Sequence, residues 1–387
     1  MGESPVQRVF GEVMSSWVVT VFGFNLLMAT RARWVERIFG GLDKMYVIHR
    51  RSGIVAAVLL LLHFGTVPRY PEFSIGKPMG FAAMALILLG IAFAASPLVK
   101  RKLPYHKWIG GHRLMGAFYV VGVCHALFVP TLISKLPLIR AYVFGMASLG
   151  CASWVYRAFL FRRLHPPLSY VVTEVRRFQR SAVEICMTPE NQLLEHEAGQ
   201  FAFFSFGELS PEESHPFTIA SAPTDDALRI VVKASGDFTS QLVGSVKSSD
   251  TVQVEGPCGH LTQSNTRSDE QIWVAGGIGV TPFLALARSL VGTGKKAKLL
   301  WTVRSGEDAY YDNELRALAQ DSEFEYELWK SNERGRLSVD AAGGLSTFQG
   351  KDVIICGPAA LRDGLTSQLR KLGTKRGQIH SEEFAFR

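Results

Sequence analysis

The chain has 387 residues, room for two or three domains, and a formal net charge of +8. Its mean hydropathy is positive although 20% of residues are charged, the average that results when an apolar part is joined to a soluble one. Five cysteines with no C-x-x-C pair exclude a zinc ribbon, an iron–sulfur site and a disulfide scaffold. The positive charge does not read as a nucleic-acid patch, because it clusters beside apolar runs: Arg31, Arg33, Arg37, Lys44, Arg50 and Arg51, then Lys100, Arg101, Lys102 and Lys107, then Arg157, Arg162 and Arg163.

A bilayer core of ~30 Å takes roughly 20 mostly apolar residues as helix. Five segments of that kind precede residue 164: residues 13–30, 45–67, 79–99, 108–134 and 138–160. The first is short and polar; the third carries no charge. The fifth has Arg140 and Arg157 near its ends, where long side chains snorkel. Loops 31–46 and 100–107 and the exit at 157–163 are basic, whereas 68–78 and 130–137 carry only Arg69, Glu72, Lys77 and Lys135. By the positive-inside rule the N-terminus lies outside and everything after residue 160 lies in the cytoplasm, which an odd number of spans allows.

Two of these spans hold histidine pairs: His49 and His63, fourteen residues apart, and His112 and His125, thirteen apart. Any one of them reads equally as a polar residue at a helix end or one bonded within the bundle. Imidazole is costly in a bilayer, however, and four at near-matching intervals mark a functional site. At 1.5 Å per residue each pair is separated by ~20 Å along its helix. One span lies between the two helices, so they run in the same direction, with His49 level with His112 on the inner side and His63 level with His125 on the outer. Two stacked bis-histidine haems fill those levels. Fourteen residues keep His49 and His63 on one face, but thirteen leave His112 and His125 about 140° apart on an ideal helix. The second of these helices therefore requires a bulge or kink, for which Gly116 and Gly122 are the candidate places.

From residue 165 the pattern changes to short strands. Residues 170–175, 182–187, 201–206 and 228–233 read as strands of a small β-barrel. Strand signals at 271–275, 298–304, 324–329 and 353–356 then alternate with helix signals at 282–291, 313–320 and 358–372, which argues for a parallel α/β sheet.

Four motifs there carry chemistry. In the run from His215 through Pro216, Phe217, Thr218, Ala220 and Ser221, an aromatic and hydroxyls on a strand can meet a flat flavin ring; the plain alternative is a strand ending in a proline turn. From Lys233 through Gly236, Phe238 and Thr239, a strand ends at a glycine and a helix begins, offering backbone N–H groups and a dipole to a pyrophosphate, or merely a capped helix. Gly256 to Gly259 reads as a tight turn. At Gly276, Gly277, Gly279, Thr281 and Pro282 an apolar strand enters a glycine turn and proline opens the next helix, so backbone can approach a phosphate closely. The run is not a G-x-G-x-x-G with a downstream acid. Arg304 closes the following strand, either to pair with a 2′-phosphate and favour NADPH or as a solvated arginine. Cys356, Gly357 and Pro358 form another strand-to-helix switch, and the terminal Phe384 and Phe386 supply an aromatic to cover a flavin.

As a set and in this order, the motifs over residues 168–387 resemble the ferredoxin-NADP reductase family. Joined to the four-histidine membrane domain, the whole chain resembles the NADPH-oxidase and ferric-reductase superfamily, in a prokaryotic NADPH-oxidase-like form. The resemblance implies a transmembrane haem-binding domain at 1–164, an FAD-binding barrel at 165–264 and an NADP-binding α/β domain at 265–387. It makes the four histidines ligands of two haem b, Phe386 (or Phe384) the residue stacked on FAD, and Cys356 part of the nicotinamide-side catalytic set. It implies a multi-pass protein of the plasma (inner) membrane, with cytoplasmic dehydrogenase domains passing electrons from NADPH to dioxygen or a ferric chelate across the lipid; a non-catalytic membrane cytochrome is the rival reading. Two departures stand out. Relatives usually have six spans, and the further histidine they carry one turn beyond the outer ligand is here Val67. No regulatory segment precedes the first span, so no obligatory protein activator is expected.

Overall fold

The structure is a computed structural model that describes residues 5–67, 75–103, 105–129, 136–178, 182–207, 209, 213–320 and 323–382. The chain divides into two compact units, Met1–Pro166 and Pro167–Arg387.

The described residues of the first unit form helices and their connections. α1 (Pro5–Ala29), α2 (Arg33–Phe39) and α3 (Leu42–Thr66) are separated by Arg31 at φ 55° and by Gly40 and Gly41 at φ 73° and 126°. There follow α4 (Gly76–Ala95), α5 (Pro97–Lys102), α6 (Tyr105–Arg113), α7 (Met115–Phe128) and α8 (Pro137–Val155). α8 runs on through one π-helical turn, Tyr156–Leu160, into α9 (Phe161–Leu164). Among the described residues, four helices are long and apolar enough to cross a membrane: Val6–Ala29, Leu42–Thr66, Gly76–Ala95 and Pro137–Leu164. The first begins well before the expected residue 13, because Val6, Val9 and Phe10 extend its apolar surface.

The expected span 108–134 is not one helix. It is broken at Leu114 into α6 and α7, and its residues 130–134 lie outside the described residues. The break falls between His112 and His125, as the phase mismatch requires, but at neither Gly116 nor Gly122. Val18, Phe22, Ala56, Leu59, Leu60, Ile87, Met115 and Tyr119 form the core of this unit. Ile54, Val58, Leu61, Leu62, Phe81 and Leu89 are exposed, a surface suited to lipid and not to water.

The second unit opens with a six-stranded antiparallel sheet. It comprises β1 (Leu168–Phe178), β2 (Ala182–Pro189), β3 (Phe201–Phe206), β4 (His215–Thr218), β5 (Leu228–Lys233) and β6 (Thr251–Cys258), with α10 (Asp237–Ser245) before β6. The strand order is β4-β3-β6-β1-β2-β5. Ile219, just past β4, bridges to Ile230 in β5, so the two edges of the curled sheet meet. β6 corrects the sequence reading. Val252 and Val254 are buried, and β6 pairs with β1 through residues 251–254 and with β3 through residues 252–255 and again at Cys258, so Gly256 and Pro257 lie within the strand. A bulge opposite Phe201–Phe203 absorbs the extra residue, and only Gly259, at φ 101°, turns the chain.

The remainder is a parallel sheet: β7 (Glu270–Gly276), α11 (Thr281–Arg288), β8 (Lys296–Val303), α12 (Asp312–Leu318), β9 (Phe324–Lys330), the single turns α13 (Ser331–Arg334) and α14 (Leu345–Phe348), β10 (Asp352–Cys356), α15 (Ala359–Lys371) and β11 (Ile379–Ser381). The order β11-β10-β7-β8-β9 reverses direction at the β7–β10 pair. Open parallel sheets bind ligands beyond the carboxyl ends of the strands at such a reversal. The short β11 escaped the sequence reading because three residues carry no periodicity.

Candidate functional site

In the helical unit the four histidines meet in two pairs. The ring centres of His49 and His112 are 5.9 Å apart, and those of His63 and His125 are 6.5 Å apart. His63 Nδ1 lies 2.9 Å from the Gly11 carbonyl oxygen, and His125 Nδ1 lies 2.7 Å from that of Gly76. A carbonyl only accepts, so each ring donates from Nδ1, which leaves Nε2 as its acceptor nitrogen. Imidazole ligands of metals are held in this way, by a carbonyl on the nitrogen away from the metal. An iron bonded to two imidazole nitrogens at about 2 Å each separates the ring centres by roughly 6 Å. Both pairs fit that spacing. Gly80 completes the outer pair's surroundings, since a Cβ there would stand 2.5 Å from the His125 ring. At the inner pair, His112 stacks on Trp108, with ring centres 5.6 Å apart and 8° between planes.

In the second unit the first two motifs come together. His215 on β4 stacks on Phe238 at the start of α10, with ring centres 3.6 Å apart and 11° between planes. Thr239 Oγ1 accepts from the N–H of Ser235 at 2.9 Å and of Gly236 at 3.0 Å, so this hydroxyl shapes the loop and leaves the first-turn N–H groups of α10 pointing outward. A Cβ on Gly236 would meet nothing within 4 Å, which leaves room for a ligand against the backbone. Lys233 ends β5 just before this loop. Phe217 packs on Phe204 inside the barrel at 6.1 Å, and Pro216 and Thr218 pair with β3 opposite Phe203 and Phe201. The Ala220 N–H donates to the Arg229 carbonyl at 2.7 Å, and the Arg229 N–H donates to buried Ser221 Oγ at 3.1 Å.

The third and fourth motifs form one glycine cradle at the β7–β10 reversal. Gly276 ends β7, a 3-10 turn over Gly277–Val280 follows, and Thr281 and Pro282 open α11. Gly279 faces the Cys356 carbonyl so closely that a Cβ would stand 2.5 Å from it, and a Cβ on Gly357 would stand 2.9 Å from Gly276 Cα. Gly277, at φ 55°, faces open space, and Trp301 Nε1 donates to its carbonyl at 2.9 Å. Pro358 follows at the start of α15. Arg304 is exposed directly after β8. Cys356 is fully buried, and burial pushes its thiol well above its ordinary pKa, so it stays protonated. Phe384 and Phe386 lie outside the described residues.

The sequence reading missed the residues that join the barrel to the parallel sheet. Tyr311 donates its hydroxyl to Glu184 on β2, and both are buried. Burial, then the nearby carboxylate, pushes the Tyr311 phenol far above its ordinary range, which keeps it a donor. Arg288 on α11 donates to the Ala220 carbonyl and pairs with Glu314 at 2.6 Å. Tyr310 stacks on Phe178 at 4.9 Å. Alternation along β2 assigns Glu184 to solvent; the parallel sheet covers that face, which no local pattern reveals.

Comparison with known proteins accords with this geometry. Residues 14–123 match the family of ferric-reductase-like transmembrane components, 168–279 an FAD-binding domain and 273–366 an oxidoreductase NAD-binding domain. The chain is similar to NADPH oxidase 1 of Mus musculus, 27% identical over 215 residues, 46% of this chain and 36% of that protein. It is similar to the mitochondrial ferric reduction oxidase 8 of Arabidopsis thaliana, 30% identical over 147 residues, 34% of this chain and 20% of that protein. It thus spans about a third or less of the length of these relatives. The FAD/NAD-binding domain of nitric oxide dioxygenase from Vibrio cholerae shares the fold, with a TM-score of 0.50 and 21% identity over 56% of this chain and 98% of that one.

The fold and the matched domains define an integral membrane oxidoreductase with FAD- and NAD(P)H-binding domains. Its transmembrane part matches the ferric-reductase-like components, and its relatives include NADPH oxidases and ferric reduction oxidases.

Proposed function

We propose that the protein is a transmembrane flavocytochrome that takes electrons from NADPH on the cytoplasmic side and delivers them across the plasma membrane to dioxygen, giving superoxide. The single observation that carries this reading is the pair of histidine levels, with ring centres 5.9 and 6.5 Å apart. When bound, FAD and two haem b supply the redox chemistry: acceptance of a hydride from NADPH and onward transfer of single electrons.

The chain's own residues bind and orient. His49 with His112 and His63 with His125 hold the two irons, and the Gly11 and Gly76 carbonyls fix the outer rings. The His215–Phe238 stack and the α10 N-terminus hold the flavin and its pyrophosphate. The cradle of Gly276, Gly277, Gly279 and Gly357 admits the nicotinamide nucleotide close to backbone, and Arg304 pairs with its 2′-phosphate. Cys356 belongs to the nicotinamide side, and Phe386 (or Phe384) is the aromatic assigned to the flavin. Residues 1–164, 165–264 and 265–387 are the haem, flavin and nucleotide domains. The chain crosses the bilayer five times, α6 and α7 together making the fourth crossing, and the basic loops lie inside.

The test is an absorbance spectrum of purified protein before and after anaerobic NADPH, with a haem count. Two haems per chain, reduced on addition of NADPH, are expected, and His63→Ala or His112→Ala should each remove one. Fewer than two haems, or substitutions that leave the spectrum untouched, would end the reading. A ferric chelate is the second candidate acceptor, favoured by the match to ferric-reductase-like transmembrane components. Dye reduction abolished by superoxide dismutase selects dioxygen; a ferrous-chelator signal that survives dismutase selects iron.

A further inference from the structure

Thirteen residues on an unbroken helix place two side chains about 140° apart. His112 and His125 nevertheless both face α3. The helical bonding changes at Leu114, which keeps φ −64° and ψ −16° but whose N–H bonds the Gly111 carbonyl at 3.2 Å while Phe118 N–H returns to the Leu114 carbonyl at 3.0 Å. An interruption of a helix needs a cause, and no proline lies between the two histidines.

α8 supplies the cause. The Trp154 indole lies so close to Gly116 that a Cβ there would stand 1.9 Å from Trp154 Cδ1. Its Nε1 donates to the carbonyl of Arg113, the last residue of α6, at 3.3 Å. A ring inserted beside a helix, with a donor aimed at a carbonyl of its last turn, holds such an interruption. One residue beyond Val155, α8 itself widens into the π-helical turn Tyr156–Leu160. Turns of that kind redirect side chains and occur at functional sites.

We propose that Trp154 is a positioning residue for the inner haem: it holds the α6–α7 break and so turns His112 toward His49, and Gly116 is the space it requires. The inference rests on the haem reading above and adds the residue that brings the inner pair into register.

The experiment counts haems by pyridine haemochrome and titrates the haem absorbance against potential, on the full chain. Trp154→Ala should lower the count from two per chain to one, as His112→Ala does. Combined with His112→Ala it should remove no more, and combined with His125→Ala it should leave none. Trp154→Phe, which keeps the wedge and deletes the donor, should retain two haems and shift the midpoint potential of one while the other stays. It decides the case if the alanine variant fails to accumulate. Fewer than two haems in the unsubstituted protein overturns both this inference and the haem reading. Two haems there, with count and both potentials unchanged in the Trp154 variants, overturns this inference alone.

Discussion

Gly279→Ala should disable hydride delivery without emptying the flavin site. The added Cβ would stand 2.5 Å from the Cys356 carbonyl oxygen, 2.7 Å from its carbon and 2.9 Å from Gly357 Cα. Carbon atoms in contact stay about 3.5 Å or more apart, so something must retreat by about 1 Å. Cys356 is fully buried and paired into the ladder opposite Ala275, so it cannot yield. The turn over Gly277–Val280 moves instead. Overpacking of this kind costs about 1–3 kcal/mol, and a misplacement of about 1 Å at a reacting centre costs on the order of 100-fold in rate. In anaerobic stopped-flow, flavin reduction by NADPH should slow by about two orders of magnitude, with FAD content and haem spectrum unchanged. Gly364→Ala, whose Cβ would meet nothing within 4 Å, is the matched control and should be neutral. A Gly279→Ala protein that reduces its flavin at the original rate and KM refutes the cradle as the nucleotide site.

Tyr311→Phe leaves the buried Glu184 carboxylate without its hydroxyl donor, with Arg229 3.9 Å away. A hydrogen bond to a charged group is worth about 1.5–3 kcal/mol, so the thermal midpoint of flavin release should fall by roughly 3–12 °C; an unchanged midpoint counters the assignment. Burial by itself would raise the Asp352 carboxyl, but the N–H groups of Ser268 and Arg267 and the His380 imidazole outweigh it and hold the pKa below its ordinary value. Its stabilisation is therefore present above the ordinary carboxylate value of about 4 and is lost as pH falls through the lower folded value. Acid unfolding curves of Asp352→Asn should lack that part of the pH dependence, and curves of identical shape would contradict it. Arg304→Ala should raise KM for NADPH about tenfold, the loss of one exposed phosphate contact, and leave KM for NADH alone; an equal effect on both coenzymes removes Arg304 from the specificity site.

Much of the architecture is legible in the linear pattern. Charge-free apolar runs bounded by arginine and lysine declare helices for a bilayer, because no other environment accepts them. The switch to short alternating strands at residue 165 announces the second unit, and the glycine turns at 276–279 and 357 mark strand ends where backbone must come close to something. The intervals of fourteen and thirteen residues even disclose that one helix has to be broken, since helical phase follows from rise and twist alone.

What the pattern does not hold is which distant group enforces each requirement. The break falls at Leu114 because Trp154, forty residues later, fills the space beside Gly116 and bonds the Arg113 carbonyl. β6 continues past Gly256 and Pro257 because β3 pairs with it on either side of the bulge there, at Glu255 and at Cys258. Glu184 is buried because the parallel sheet closes over it, bringing the Tyr311 hydroxyl. Periodicity and residue type are properties of a local stretch of chain and can be read there. Contacts between remote segments depend on how whole elements stack, and only the folded chain decides them.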